Sequence, residues 1–172
     1  NPENIQIKQA IGDVYLQKKD YEQARQAYAE IQQAQGFEAL GSFKLGRLHL
    51  VQNQPEKALN AFNHALSREP DYRAAMEGKV RALLQQGKAE QAAEYTEDLI
   101  QNRPDDAFAF QLQGRVAMQQ NNTDLAEASL LKATALNPDW QPPYYLLADL
   151  YLKSERTDEA IAKFEQIVEA EP

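Results

Sequence analysis

Alanine recurs every 34 residues along this chain of 172, at Ala24, Ala58, Ala92, Ala126 and Ala160. Other columns keep the same step. Twelve residues before each alanine stand Gly12, Gly46, Val80, Gly114 and Ala148. Four after it come Tyr28, Phe62, Thr96, Leu130 and Phe164, and three further on Ile31, Ala65, Leu99, Ala133 and Ile167. Pro70, Pro104, Pro138 and Pro172 hold the step too, with Gly36 as the exception and Pro2 one period before it. A repeat that keeps register over five periods is one supersecondary unit copied in series. Each copy buries its apolar face only by stacking on its neighbours.

The spacing within a period reads as two helices. In the fifth, Tyr144, Leu147, Ala148 and Tyr151 follow the i, i+3, i+4, i+7 pattern of one helical face, and Ala160, Phe164, Ile167 and Val168 repeat it after a short polar turn. The first helices are expected at about 6–18, 40–52, 74–86, 108–120 and 142–154, the second at about 22–34, 56–68, 90–102, 124–136 and 158–170. Glu22, Glu56, Glu90, Asp124 and Asp158 fall in the first turn of each second helix, where a carboxylate meets the positive end of the helix dipole. The closing prolines cannot continue a helix, whereas Pro142 and Pro143 are tolerated at a helix start.

These residues resemble the tetratricopeptide repeat, a helix–turn–helix unit of about 34 residues. Leu45-Gly46, Ala58, Phe62, Ala65 and Pro70 carry the likeness in the second period, and Tyr144, Leu147, Tyr151, Ala160, Phe164 and Pro172 in the fifth. The resemblance covers the whole chain as units 5–38, 39–72, 73–106, 107–140 and 141–172. It implies an all-α, right-handed α-solenoid with first helices lining a concave groove. Two places depart from the pattern. The third unit has Lys79, Val80 and Thr96 where the motif has Leu, Gly and an aromatic, and the first junction, Gly36 to Gly41, lacks the closing proline.

Composition removes most chemistry. The chain has no Cys and only His49 and His64, so thiolate metal sites, disulfides and Cys nucleophiles are excluded and no paired-His ligand set exists. Gly41 to Gly46 has P-loop glycine spacing but continues Arg47-Leu48, and Asn121 to Asp124 lacks the alternating ligands and terminal Glu of a calcium loop. Neither a catalytic residue, a metal ligand nor a cofactor site is assigned. His49 is expected to pack partly buried in the column of Tyr15, Leu83, Ala117 and Tyr151, and His64 to face solvent. The net charge of −8 argues against nucleic acid as partner, and no apolar run is long enough for membrane insertion. The sequence leaves the compartment open, whether cytoplasmic or periplasmic.

Function is then sought where the repeat does not need its residues. In the groove that the resemblance implies, the column after Gly46 reads Asp13, Arg47, Arg81, Arg115 and Asp149. One turn earlier lie Gln9, Phe43, Glu77, Gln111 and Tyr145, with Phe108 a further turn away. Arginines clamp carboxylates, glutamines pair with peptide backbone, and aromatics take apolar side chains, so Arg47, Arg81, Arg115, Phe43, Glu77, Phe108, Gln111 and Tyr145 form a candidate groove for a protein or peptide partner. The same charges can instead neutralise one another, Asp13 with Arg47, Asp149 with Arg115 and Glu77 with Arg81. Gln9 and Asp13 do not reproduce the first-unit positions of the carboxylate clamp in chaperone-binding relatives. Trp140, in the turn before Pro142, is read as packing against the next unit's first helix.

The leading reading is a non-enzymatic scaffold for protein binding. The alternative is an accessory array of a larger enzyme, such as a glycosyltransferase, or of a bacterial envelope machine for export or assembly. Asn1-Pro2 looks like the end of a preceding unit, and Ile161, Phe164, Ile167 and Val168 face outward with no cap after them. A fragment of a longer array that associates end to end is therefore expected.

Overall fold

The computed structural model describes residues 2–170, and of these all side chains but those of residues 2, 3, 167, 169 and 170. Ten helices follow one another among the described residues: α1 (Pro2–Gln17), α2 (Tyr21–Gln32), α3 (Glu38–Val51), α4 (Pro55–Arg68), α5 (Arg73–Gln85), α6 (Ala89–Asn102), α7 (Ala107–Gln119), α8 (Thr123–Leu136), α9 (Pro142–Lys153) and α10 (Thr157–Ala170). The chain is all-α, a helical solenoid of two-helix repeats, as the period predicts. Pro172 and Asn1, the ends of the proline column and of its predecessor, lie outside the described residues.

Each repeat turns at the same place by the same device. Lys19, Asn53, Gly87, Asn121 and Glu155 all have φ between 54° and 72°, at intervals of 34 residues. At such a residue the first helix stops, and its own N–H and the next one return to the helix's last carbonyls. Lys19 N–H bonds to Leu16 C=O and Asp20 N–H to Tyr15 C=O, at 3.0 and 2.9 Å, and Glu155 and Arg156 repeat this on Leu152 and Tyr151. Two of the second helices start under side-chain caps: Asp20 accepts from Gln23 N–H on α2 and Asn122 from Leu125 N–H on α8.

The chain divides into two compact units, Asn1–Gly87 and Lys88–Pro172, parted at the turn inside the third repeat. In the first, α1 to α5 pack each on the next and α3 lies also against α5. Its core holds Ile5, Ala24, Tyr28, Ile31 and Leu48, then Leu50, Ala58, Phe62, Ala65, Ala75 and Ala82. The glycine column is what admits the rings. A Cβ on Gly12 would stand 2.4 Å from the Tyr28 ring, and one on Gly46 2.6 Å from that of Phe62. Phe62 is closed on another side by Gly78, where a Cβ would also fall 2.4 Å away. At the first junction Gly41 permits a still closer approach, because its Cβ would lie 2.2 Å from the backbone nitrogen of Gln32. Here α3 meets the end of α2 in a contact that only glycine allows.

In the second unit, α6 to α10 pack each on the next and α7 lies also against α9. Leu130, Leu147, Tyr151 and Ala160 form one core cluster, Ala117, Ala126 and Leu150 another. Of the three departures in the third repeat, Val80 and Thr96 are completely buried and Lys79 is half-buried. Of the residues expected on the C-terminal face, Ile161, Phe164 and Val168 are exposed, while the side chain of Ile167 lies outside the described set.

Candidate functional site

On the first-helix face of the first unit, Arg47 and Arg81 occupy equivalent positions of α3 and α5. Both are exposed, and neither makes an ion pair among the described residues. The guanidinium of Arg47 lies 5.9 Å from the Phe43 ring centre, one turn back on α3. Phe43 in turn meets Tyr72 at 5.1 Å and Phe62 at 6.1 Å, which joins the outer face to the core. Glu77, half-buried on α5, is engaged by neighbouring groups.

The internal charge pairs differ from those read off the columns. Asp13 takes Lys44, not Arg47: the ammonium lies 2.9 and 3.1 Å from its two oxygens, and the Tyr28 hydroxyl donates to it at 2.7 Å. Lys44 is almost wholly buried, its side chain 6% exposed. Burial pushes the Asp13 carboxyl up, but hydrogen bonds from Lys44 and Tyr28 and the charges of Lys44 and Arg47 outweigh it, so its pKa falls below the usual value. Tyr28 is raised in turn, by burial first and then by the Asp13 carboxylate. The signal for Lys44 stood in its column, which otherwise reads Ala10, Gly78, Leu112 and Leu146. A lone buried charge in an otherwise uncharged column has to find a partner. Asp149 likewise pairs with Lys153, at 2.8 Å along α9.

In the second unit, α7 and α9 carry the remaining candidates. Arg115 is half-buried and has neighbours of its own. Gln111 is 3% exposed, and its Oε1 accepts no hydrogen bond among the described residues. Phe108 is 6% exposed and faces Trp140 with ring centres 6.1 Å apart, so it props the turn from beneath and offers no open surface. Trp140 thereby meets α7, the first helix of its own repeat, where its place in the turn had suggested the first helix of the next, because the Phe108 ring stands beneath it. Tyr145 is 50% exposed beside Phe164.

Two polar clusters escaped the sequence reading. Arg156 binds Glu127 with both ends of its fork, at 2.6 and 3.0 Å, also bonds Glu159, and lies 4.4 Å from the Tyr151 ring centre. Glu127 is held low by the hydrogen bond from Arg156, and Tyr151, buried and donating to Glu127, is pushed up to about 12. The pair ties α8 to the turn between α9 and α10. In the first unit the fully buried Ser42 donates to Glu38 C=O, accepts from Gln32 Nε2, and lies 2.7 Å from His64 Nδ1. With its one proton spent, Ser42 must accept from His64, which fixes Nδ1 as the protonated nitrogen. His64 is exposed as expected, and half-buried His49 is lowered, by burial above all.

No group of three or more His, Asp or Glu side chains suited to a metal occurs among the described residues, and no described helix is long and apolar enough to cross a membrane.

Family models described as tetratricopeptide repeat match residues 43–107 and 112–172, and a further one residues 5–35. No curated protein matches the chain at a significant level. Among solved structures, a thermophilic TPR protein of Thermus thermophilus is 24% identical, covers 98% of this chain and 92% of its own, and superposes with a TM-score of 0.75. The type IV pilus biogenesis factor PilW is 20% identical over 96% of this chain and 77% of its own, with a TM-score of 0.69. MamA from Desulfovibrio magneticus is 18% identical over 97% and 94%, with a TM-score of 0.61. At these identities the likeness is one of fold.

Proposed function

As the chain belongs to the tetratricopeptide repeat family, we propose that it is a non-catalytic scaffold that holds an extended acidic peptide of a protein partner on its first helices. One observation carries this. In a chain of net charge −8, Arg47 and Arg81 lie on packed neighbouring helices, exposed and with no ion pair to either among the described residues. The side chains around them supply the rest of a peptide site. Phe43, backed by Tyr72, gives an apolar wall beside Arg47, and Glu77 sets the charge pattern next to Arg81. Arg115, Gln111 and Tyr145 continue the same sequence columns in the second unit, and the peptide site proposed here is that of the first. Gln111 and Phe108, 3% and 6% exposed, lie within the fold and offer a peptide no open contact.

Each exposed arginine–carboxylate contact is worth about 0.2–1 kcal/mol. Changing Arg47 and Arg81 together to Ala therefore weakens an acidic peptide by up to roughly thirtyfold, with the larger loss at low salt. The measurement is fluorescence anisotropy with a labelled peptide chosen from an acidic array. If the double variant binds as tightly as the unaltered protein, the arginines are not the anchor and the proposal fails.

A further inference from the structure

The outward columns of the second helices are wholly polar in α4 and α6, and in α2 and α10 each holds a single alanine among amides or carboxylates. In α4 they hold Lys57, Asn60, Asn63 and Ser67, and in α6 Gln91, Glu94, Glu97 and Gln101. In α8 the same columns hold Leu125, Ala128, Leu131 and Ala135. All four are exposed, the leucines by 39% and 38%. One exposed leucine needs no reason, but a stripe along three turns, at positions the chain elsewhere gives to amides and charges, does. Beyond its last residue opens a depression of about 430 Å³ bounded by Ala135, Pro138, Tyr144 and Lys163. Nearby charge has one sign in excess. On α6, which packs on α7 as α8 does, Glu90, Glu94, Glu97 and Asp98 are all exposed and hold no cation among the described residues.

We infer that the back of the second unit is a separate docking surface, and that it takes an amphipathic helix with an apolar stripe flanked by lysine or arginine. The stripe of that helix lies along Leu125, Ala128 and Leu131, its end residue enters the depression past Ala135, and its cations face the carboxylates of α6. This uses no residue of the groove, so it stands or falls apart from the reading above.

The probe is a synthetic helical peptide of leucine and lysine with one apolar stripe, compared with its leucine–glutamate counterpart and followed by anisotropy. The lysine peptide is expected to bind, more weakly as salt rises, and the glutamate peptide not to. Leu125→Gln with Leu131→Glu places in α8 the residues that α6 carries in those columns, so helicity by circular dichroism is expected to stay unchanged while affinity drops at least tenfold. Glu94→Gln with Glu97→Gln, on exposed side chains, should weaken binding and flatten its salt dependence. Arg47→Ala with Arg81→Ala should leave it unaltered. Absence of binding, equal binding of both peptides, or undiminished binding by the leucine variant would each overturn the inference.

Discussion

At the scale of single residues, the five left-handed positions are the most demanding. Gly87 adopts its φ of 72° without a Cβ penalty, and Asn53 and Asn121 tolerate it, but Lys19 and Glu155 are held there by the turn. Replacing Glu155 or Lys19 by Gly relieves a strain of about 1–2 kcal/mol and returns part of it to the freer unfolded chain. A net gain of about 0.5–1 kcal/mol is expected, read as a higher urea midpoint at unchanged slope, and a lower midpoint would contradict it. Lys44 and Asp13 make the second case. Asp13→Asn leaves a buried ammonium without its counter-charge and should cost about 1–3 kcal/mol. Lys44→Leu, which copies Leu112 and Leu146, leaves only a part-exposed carboxylate and should cost less. Urea titration of the two variants decides the order. Residue type announced Lys44 but not Lys19 or Glu155, since nothing in a Lys or Glu marks a left-handed turn.

Between elements, the recurring contact is a glycine of a first helix against the large residue sixteen positions later on the second. Tyr28, Phe62 and Leu130 are each 0% exposed, and burying such a side chain is worth about 1.5–3 kcal/mol. Gly46→Val would thrust a branched side chain into the Phe62 ring from 2.6 Å. Overpacking of that kind costs about 1–3 kcal/mol, and the thermal midpoint should drop accordingly. The second helices start one residue before the expected positions, at Tyr21, Pro55, Ala89, Thr123 and Thr157, and the first helices start up to four residues early. The first-turn acids mark the dipole, whereas the helix begins at the residue after the cap. The candidate site was legible to the extent that columns reveal it. They brought Arg47 and Arg81 to one face of packed helices, yet they assigned Asp13 to the wrong cation and left Phe108 on a surface that Trp140 covers.

For the molecule as a whole, stability should follow pH in two steps. His49 has its folded pKa depressed by burial, so the unfolded chain binds the extra proton first. Its contribution is full above the unfolded value of about 6.5 and is lost as pH falls through the folded one. Asp13 and Glu127 are also depressed, from 3.8 and 4.5, so their share is lost further down, below about pH 4. Urea midpoints between pH 8 and pH 3 should fall first around pH 6 and then more steeply. His49→Leu, the residue that Leu83 supplies in that column, should remove the first step alone. A first step that survives the change would assign it elsewhere.

The 34-residue step, with alanine, glycine and aromatic at constant offsets, determined ten helices, their pairing and the inward face of each. It could do so because every repeat solves the same packing problem with the same periodicity. What a side chain meets across the stack depends on which neighbour fills the space beside it, and columns do not encode that. Lys44 on Asp13, Arg156 on Glu127 and Glu159, and His64 on Ser42 are long-range choices made by reach and burial. Only the tertiary structure decided them, and with them which arginines were left facing outward.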